Sequence, residues 1–229
     1  MEKNLTPRHV AFIMDGNGRW AKSQGKPRNY GHVQGAENVD LVVANCFKRG
    51  VQVVSLYAFS TENWARPKAE VDKILSLLSE FLKKYVTKLI SNEVRLVISG
   101  DVDALPKELA VLCREKQNLT KRFNDKILNL AINYGGRQEI LRAVNSLLNK
   151  GVTSVTEDDF EKELYTAGLP DIDLIVRTSG EQRLSNFFPY QSVYSELYFT
   201  NAYWPDFNEE ELEKAFLWYA ERNRRFGGV

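Results

Sequence analysis

The sequence is poor in the residues that build disulfide frameworks and zinc sites. Its 229 residues include only two cysteines and two histidines. Cys46 and Cys113 stand apart, without a CxxC pair or a cysteine and histidine spacing that would hold zinc. We therefore expect neither a disulfide nor a zinc site, and a reducing cytoplasm is the simplest compartment.

Long apolar runs and an excess of one charge are also missing. No segment approaches the ~18 uninterrupted apolar residues of a membrane span, and the first nine residues lack the apolar stretch of a signal peptide. The net charge of +1 argues against a generally basic, nucleic-acid-binding surface. We expect no nucleic-acid partner. Any contact with lipid must come from a groove or from a peripheral face at the inner side of the membrane.

Short apolar runs alternate with longer amphipathic stretches, which is typical of a mainly parallel sheet flanked by helices. The sequence therefore predicts one α/β domain over residues 1–229. Strands are predicted at 10–14, 51–59, 94–99, 127–132 and 172–176, and helices at 31–49, about 70–90, and 209–225.

The predicted 70–90 helix carries one broad apolar stripe. Its members recur at helical spacing and are Val71, Ile74, Leu75, Leu78, Phe81, Leu82, Tyr85, Val86, Leu89 and Ile90. Such a stripe ordinarily packs on a core, but it could also form the wall of a cavity for an apolar ligand. Periodicity does not choose between the two.

The segment DGNGRW, residues 15–20, directly follows the first predicted strand. Ligands bind at the carboxyl ends of strands in open α/β sheets. The glycines allow close backbone approach, successive N–H groups can surround an anion, and the Arg19 fork matches phosphate oxygens. Asp15 would repel a bare phosphate, so its presence suggests a bridging Mg²⁺. A glycine turn with a capping aspartate is the structural alternative.

Three further polar clusters stand beside predicted elements. They are Lys26, Arg28 and His32 ahead of the first long helix; Ser60, Glu62, Asn63, Trp64 and Arg66 after the second strand; and Arg177, Arg183 and Ser185 after the last strand, with Glu196 just beyond. A solvated basic loop or a capped helix start could explain any one of them. Together, clusters at the ends of three strands favour a site for two anions and a metal.

Five segments, in order, resemble the signature blocks of bacterial cis-prenyltransferases of the undecaprenyl diphosphate synthase type. They are HVAFIMDGNGRWA at 9–21, YAFSTENW at 57–64, NYGGR at 133–137, RTSGEQRLSN at 177–186 and WPDF at 204–207. The resemblance runs from about residue 8 to Gly228. No DDxxD motif is present, which argues against the unrelated all-helical trans-prenyltransferases.

The resemblance implies a homodimeric α/β fold with a deep apolar tunnel. In such enzymes an allylic diphosphate, typically farnesyl diphosphate, is extended by successive cis condensations with isopentenyl diphosphate. The usual bacterial product is undecaprenyl diphosphate, the precursor of the lipid carrier for cell-wall peptidoglycan. Mg²⁺ is the implied cofactor.

The resemblance also implies roles for residues at matching positions. Asp15 is the central catalytic carboxylate and a Mg²⁺ ligand. The allylic diphosphate is held by Gly16, Asn17, Gly18, Arg19, Arg28 and His32, with Trp20 beside the substrate. The loop over the reacting ends comprises Ser60, Thr61, Glu62, Asn63, Trp64 and Arg66. Asn63 is the suggested proton acceptor, but an amide is a weak base, and Asp15 or the released diphosphate stay open as alternatives.

Isopentenyl diphosphate is assigned, by the same resemblance, to Arg177, Arg183, Leu184 and Ser185, and Glu196 is the second Mg²⁺ ligand. Gln182 stands where some members carry a histidine that can approach the metal, so it is left out of the metal set.

Two rival functions are weaker. A non-catalytic partner subunit would be expected to lack Asp15 or the basic allylic site, although an Arg-x-Gly tail at 225–227 leaves a partner role conceivable. A nucleotide-binding phosphotransferase would need a GxxxxGK[ST] loop, which is absent.

Overall fold

A computed structural model describes residues 6–222 of the chain. Within these residues, six parallel strands form one sheet. They are β1 His9–Ile13, β2 Val53–Ser60, β3 Val94–Ser99, β4 Lys126–Tyr134, β5 Leu174–Arg177 and β6 Glu196–Phe199. Their order across the sheet is β3-β4-β2-β1-β5-β6. The predicted α/β class with a mainly parallel sheet is therefore confirmed.

Of the seven helices within residues 6–222, six lie in the connections from β1 to β5 and the last follows β6. They are α1 Asn17–Ser23, α2 Arg28–Lys48, α3 Lys68–Ser91, α4 Lys107–Thr120, α5 Gly136–Asn149, α6 Glu157–Glu161 and α7 Glu209–Ala220, with 3-10 turns at Thr61–Ala65 and Trp204–Asp206. None of the helices within residues 6–222 is both long and apolar enough to cross a membrane.

The structure changes several predicted element boundaries. Helix α2 begins at Arg28 rather than at 31, because Pro27 takes the extended conformation of an N-cap there. The helix predicted over 209–225 ends at Ala220. The last three residues of that prediction, the Arg-x-Gly tail at 225–227 and the end of the family resemblance at Gly228 lie outside the described residues.

Two apolar clusters fill the two faces of the sheet, because successive strand residues point to opposite sides. Phe12 and Leu56 belong to the larger cluster, with residues of α2, α3, α4 and α7. Ala11 and Ile13 belong to the smaller one, together with Phe187 and Phe188. The sheet is thus covered on both faces, as a parallel sheet requires.

The apolar stripe of α3 serves mainly as core. Most of its members are buried in the larger cluster, while Phe81 and Tyr85 are partly buried against it. Ile74, Leu78 and Phe81 also line a cavity at the carboxyl edge of the sheet. Ile74 and Leu78 therefore belong both to the core and to the cavity wall.

The strand order places a topological switch point at β1. The chain leaving β1 turns toward β2, whereas the chain leaving β5 turns toward β6 on the other side. Loops that diverge in this way leave a crevice at the carboxyl ends of the strands, where α/β proteins bind ligands. Ile13 pairs with Arg177 in the register of β1 and β5, so the loop that begins with Asp15 meets Arg177 at this crevice.

Candidate active site

Asp15 lies at the switch point in contact with two arginines. Its Oδ2 accepts hydrogen bonds from Arg177 Nη2 at 3.0 Å and lies 3.3 Å from Arg19 Nη2. Its Oδ1 accepts from Gly16 N–H at 2.7 Å. Burial raises the pKa of Asp15, but the hydrogen bonds from Arg177 and Gly16 and the two arginine charges outweigh it, so the pKa lies below its usual value. Asp15 is an anion at neutral pH and can accept a cation.

Arg177 is the buried centre of the predicted cluster at 177–185. Its side chain is 4% exposed. Nη1 donates to the carbonyl oxygen of Arg183 and to Ser185 Oγ, the latter at 2.8 Å. The Arg177 Nε atom is buried with no hydrogen-bond partner among the described residues. Arg177 therefore connects Asp15 to the Ser185 loop.

Glu181 joins the two predicted anion sites and is a residue that the sequence analysis missed. It accepts from Arg19 Nη1 at 3.2 Å and from Arg183 Nη1 at 2.5 Å. Arg183 is 60% exposed and Arg19 is 45% exposed. A partly exposed carboxylate between two exposed arginines shows that both guanidinium groups are within reach of one bridging anion.

Glu70, on α3, organises the predicted allylic cluster and was also missed. Its Oε1 accepts from Arg28 Nε and Arg66 Nη1, both at 2.9 Å, and lies 3.1 Å from His32 Nε2. Burial raises the pKa of Glu70, but Arg28, His32 and Arg66 outweigh it and hold the pKa below its usual value. A charged residue beside the apolar stripe of α3, four residues after Arg66, was the signal available in the sequence.

His32 is neutral at pH 7 in this cluster. Burial lowers its pKa, and the charges of Arg66 and Arg28 lower it further, against the opposing effect of Glu70. Since Glu70 is ionised and can only accept, His32 Nε2 carries the proton and donates it. The cluster thus presents two guanidinium charges against one carboxylate.

The loop after β2 contains a capped 3-10 turn, which is the structural alternative for the polar cluster at 60–66. Asn63 Oδ1 accepts from Ser60 N–H at 3.1 Å, as part of a reciprocal capping box. Trp64 packs edge-on against Phe59 and donates to Asn133 Oδ1 at 2.8 Å. Asn63 and Ser60 nevertheless also line the cavity.

The predicted glycine turn after β1 is a sharp turn followed at once by α1. Gly16 has φ +99°, and a Cβ there would lie 2.6 Å from the Tyr203 ring and 2.8 Å from Ser179 Cβ. A side chain at this position would be strained and crowded. Trp20, within α1, stacks on Tyr30 and donates to Asp206 Oδ1 at 2.8 Å.

A cavity of about 590 Å³ opens between these clusters. Its predicted polar residues are Asp15, Asn17, His32, Ser60, Glu62, Asn63, Arg66, Arg177 and Ser185. Its apolar residues include Val39, Leu56, Ile74, Leu77, Leu78, Phe81 and Leu130, from α2, the sheet and α3. The remaining predicted residues near this edge are not among the lining: Gly16, Gly18, Arg19, Trp20, Arg28, Thr61, Trp64, Arg183 and Leu184. A polar mouth on an apolar interior suits a ligand with a charged head and a hydrocarbon tail.

Glu196 is not brought to Asp15 within one chain. It begins β6 and pairs with Leu174, three residues before the level of Arg177, which is roughly 10 Å along a strand. Across residues 6–222, no group of three or more histidine, cysteine, aspartate or glutamate side chains could hold a metal. Asp15 as a single ionised carboxylate still fits Mg²⁺, which proteins often bind through one or two carboxylates and the phosphates of the substrate.

Comparison with known proteins shows the family to which the chain belongs. The family model described as putative undecaprenyl diphosphate synthase matches residues 13–227. The isoprenyl transferase of Fusobacterium nucleatum subsp. nucleatum is 46% identical over 230 residues, covering 100% of this chain and 99% of that protein. The isoprenyl transferase of Clostridium tetani is 48% identical, covering 97% of this chain and 90% of that protein.

Two solved structures share the fold. Lavandulyl diphosphate synthase from Lavandula x intermedia, in complex with dimethylallyl diphosphate, superposes with a TM-score of 0.92 at 34% identity, covering 97% of this chain and 99% of that one. A probable undecaprenyl diphosphate synthase from Campylobacter jejuni gives a TM-score of 0.82 at 32% identity, covering 96% and 98%. The chain therefore belongs to the undecaprenyl diphosphate synthase family and is a prenyltransferase.

Proposed function

We propose that this prenyltransferase condenses isopentenyl diphosphate onto an allylic diphosphate, farnesyl diphosphate being the expected primer, in successive Mg²⁺-dependent cis steps. The observation that carries the proposal is one cavity with members of two cationic clusters at its mouth and apolar side chains in its interior. One cluster is gathered by Glu70 and the other surrounds Arg177. Two diphosphate heads and one hydrocarbon tail match that arrangement.

Each condensation breaks the allylic C–O bond and leaves its electron pair on the departing diphosphate. A new C–C bond forms to the terminal carbon of isopentenyl diphosphate, which then loses one proton. Arg28, Arg66 and His32 would bind the departing diphosphate and stabilise the charge that develops on it. Asp15 would hold Mg²⁺ together with diphosphate oxygens, and the ion supplies Lewis-acid stabilisation of that charge.

Arg177, Arg183 and Ser185 would orient isopentenyl diphosphate, with Leu184 beside them. Placing both reactants in one cavity removes much of the entropic barrier to a bimolecular reaction. Asn63 remains the predicted proton acceptor. Its Oδ1 already accepts from Ser60 N–H, so Asp15 and the released diphosphate remain the alternatives.

The apolar interior is the proposed entrance of a product tunnel between α2, α3 and the sheet. Each buried CH₂ gains about 0.8 kcal/mol, so every five-carbon extension is favoured by a few kcal/mol of burial. We propose undecaprenyl diphosphate, for the cell-wall lipid carrier, as the product. We also propose a cytoplasmic location with peripheral contact at the membrane, since such a product must reach a bilayer.

We further propose that the protein is a homodimer formed through α5 and the edge strand β6. Leu141, Val144 and Leu148 form an exposed stripe at helical spacing on α5, with 63%, 41% and 61% of their surface exposed. Val193 and Tyr194, just before β6, are 68% and 59% exposed. Exposed apolar residues of this kind mark an interaction surface, and a second copy is the occupant that the family resemblance implies. Leu141→Asp should yield monomers in sedimentation analysis.

The test of the catalytic proposal is incorporation of labelled isopentenyl diphosphate into a farnesyl-primed lipid by the purified protein with Mg²⁺. Thin-layer analysis of the product would give its length. Loss of incorporation on chelation and recovery with added Mg²⁺ would support the metal role. No incorporation by the protein alone, with activity restored only by a second chain, would favour the partner-subunit function instead.

A further inference from the structure

The segment from Ser185 to Phe188 has an unusual backbone. Ser185, Asn186 and Phe188 have φ values of 50°, 66° and 47°, in the left-handed region that most non-glycine residues avoid. Such a conformation persists only where surrounding contacts fix it. Phe187 and Phe188 are fully buried, and the Phe187 ring stacks on Tyr57 at 4.4 Å between centroids. The packing fixes one end of this segment, and its other end is Ser185 at the cavity.

Asn186 connects that segment to two other loops of the carboxyl edge. Its Nδ2 donates to Glu62 Oε1 at 2.9 Å, in the loop after β2, and to Gln138 Oε1 at 3.1 Å, in α5. Both Asn186 and Glu62 line the cavity. The hydrogen bond to an ionised acceptor is of the stronger kind. Burial raises the pKa of Glu62, but this bond and those from Ser60 and Thr61 outweigh it and lower the pKa overall.

Asn186 also caps helix α5 from outside the helix. Its backbone oxygen accepts from Gly136 N–H at 2.8 Å, and its Oδ1 accepts from Arg137 N–H at 2.9 Å. The residue at the N-cap itself, Gly135, has no side chain to do so. A Cβ on Gly135 would lie 2.8 Å from Asn186 Nδ2, so the glycine permits this close approach. All of the polar atoms of the Asn186 side chain are thus engaged within the protein rather than directed at substrate.

Ser185 depends on its neighbour for its place in the site. Its Oγ accepts from Arg177 Nη1 at 2.8 Å, and its carbonyl oxygen accepts from Tyr57 Oη at 3.3 Å. Arg177 in turn binds Asp15. A shift of residue 186 would therefore move the Ser185 hydroxyl relative to Arg177 and to the Glu62 loop, while the Glu70 cluster on α3 would be unaffected.

We propose that Asn186 is a positioning residue, which fixes the Ser185 loop against the Glu62 loop and the start of α5 and so sets the geometry of the isopentenyl diphosphate half of the site. The proposal rests on the function proposed above. It assigns Asn186 no contact with substrate. We expect substitution of Asn186 to change KM for isopentenyl diphosphate and not KM for farnesyl diphosphate.

Two substitutions change the side-chain hydrogen bonds of Asn186 while allowing its left-handed backbone conformation. Asn186→Gly accepts the left-handed φ without strain and removes all three side-chain hydrogen bonds. Asn186→Asp also tolerates this φ and can still accept from Arg137 N–H, but it cannot donate to Glu62 and places a like charge beside it. Asn208→Gly is the matched control, because Asn208 caps α7 through Glu211 N–H at 3.1 Å and does not line the cavity.

The measurement is steady-state incorporation with each substrate varied in turn. Both Asn186 variants should raise KM for isopentenyl diphosphate about tenfold, the cost of one hydrogen bond to a charged group, and leave KM for farnesyl diphosphate within about twofold. Adding Glu62→Gln to Asn186→Asp should bring KM for isopentenyl diphosphate part of the way back, since the new amide at position 62 can donate to the new carboxylate at position 186. Asn208→Gly should change neither KM.

Two outcomes would overturn the proposal while leaving the proposed function intact. In one, the wild type is active and both folded Asn186 variants keep the wild-type KM for isopentenyl diphosphate. In the other, the two KM values rise together, which a general loss of structure would produce. An inactive wild type would instead contradict the proposed function itself. If the glycine variant does not fold, the aspartate variant and its Glu62→Gln partner decide the question.

Discussion

The sheet buries polar side chains at its carboxyl edge and again in its interior, and the two regions satisfy them differently. The interior set, here called the polar ladder, consists of His9, Ser55, Asn129 and Ser99 and crosses four neighbouring strands. Ser99 Oγ donates to Asn129 Oδ1 at 2.9 Å, and Asn129 Nδ2 donates to Ser55 Oγ at 3.0 Å. Ser55 Oγ lies 2.7 Å from His9 Nε2, and His9 Nδ1 lies 2.8 Å from the Pro170 carbonyl oxygen.

The ladder is neutral and internally complete. A carbonyl can only accept, so His9 Nδ1 carries the proton and Nε2 accepts from Ser55. At the carboxyl edge, by contrast, Arg177 Nε and Asn17 Oδ1 are buried without a hydrogen-bond partner among the described residues, and the groups around them carry charge. Buried polar groups are normally paired. The difference indicates that the ladder holds the fold, whereas the edge keeps capacity for a ligand.

Asp15→Asn should have the largest effect and tests the edge as the catalytic region. The amide is isosteric and can still accept from Arg177, but it loses the charge that would hold Mg²⁺ and oppose the two arginines. We expect turnover to fall about a thousandfold, as for loss of a central electrostatic group. The variant should still fold, with a smaller free energy of unfolding, because Arg177, which is 4% exposed, loses its counterion. Incorporation assays and urea unfolding would measure both. Near-normal turnover would remove Asp15 from its role.

Asn129→Ala tests the ladder as a structural region. It removes the central member and leaves the hydroxyls of Ser55 and Ser99, both fully buried, with one partner fewer. Unsatisfied buried groups of this kind should lower the free energy of unfolding by about 3 kcal/mol. The kcat and both KM values should stay within about twofold. A large kinetic change in a folded variant would contradict the division between the two regions.

The pH dependence of stability tests the neutrality of the ladder. Burial lowers the pKa of His9 from 6.5 to about 4, more than the opposing effects of Pro170 and Asp173 raise it. Below pH 6.5 the unfolded chain therefore binds a proton that the folded chain does not, and stability falls as the pH drops toward 4. Between pH 7 and pH 5 this contribution is about 2 kcal/mol. Urea unfolding of His9→Gln should show that much less pH dependence than the wild type, and equal dependence would mean that His9 is not the group responsible.

The sequence predicted the sheet well where strands are buried on both faces. The 94–99 strand was predicted with its observed ends, because a short β-branched run bounded by turn residues is distinctive. The strand β6 was missed, since its four residues, ELYF, are partly exposed at a sheet edge and too few to show a period. The helix α1 was missed because Gly16 and Gly18 suggest a turn. In the structure Gly16 makes the turn and Gly18 lies inside the helix.

The site was predictable to the extent that it follows from parallel strands. Asp15 and Arg177 lie at the carboxyl ends of two strands, and the sequence predicted one site from such strand-end clusters; that these two strands are neighbours came from the structure. Glu70 and Asn186 were not assigned roles, because their partners other than Arg66 lie far away in sequence: Arg28 is 42 residues from Glu70, and Glu62 is 124 residues from Asn186. Local patterns carry no information about such contacts. The function of a polar residue on an apolar helix becomes visible only when the fold brings its partners to it.

Glu70→Gln has the smallest expected effect. The direction of the change in KM for farnesyl diphosphate distinguishes two explanations of why a carboxylate lies among the cations of the carboxyl edge. If Glu70 serves to gather Arg28, Arg66 and His32 into a diphosphate site, loss of its charge loosens them. If instead it merely opposes their charge, the same change should tighten diphosphate binding, since the carboxylate that repels the anion is gone. Three donors converge on the one oxygen Oε1 in a buried position, which favours the first explanation.

We therefore expect Glu70→Gln to raise KM for farnesyl diphosphate about tenfold, the loss of one charge-assisted hydrogen bond, while KM for isopentenyl diphosphate changes little. Glu80→Gln is the matched control, because Glu80 lies on the same helix, is exposed and contacts only Ser76 among the hydrogen bonds described. It should leave both KM values unchanged. A lower KM for farnesyl diphosphate in Glu70→Gln would contradict this explanation. It would show that the carboxylate opposes the charge of the cluster and that the three donors reach the diphosphate without it.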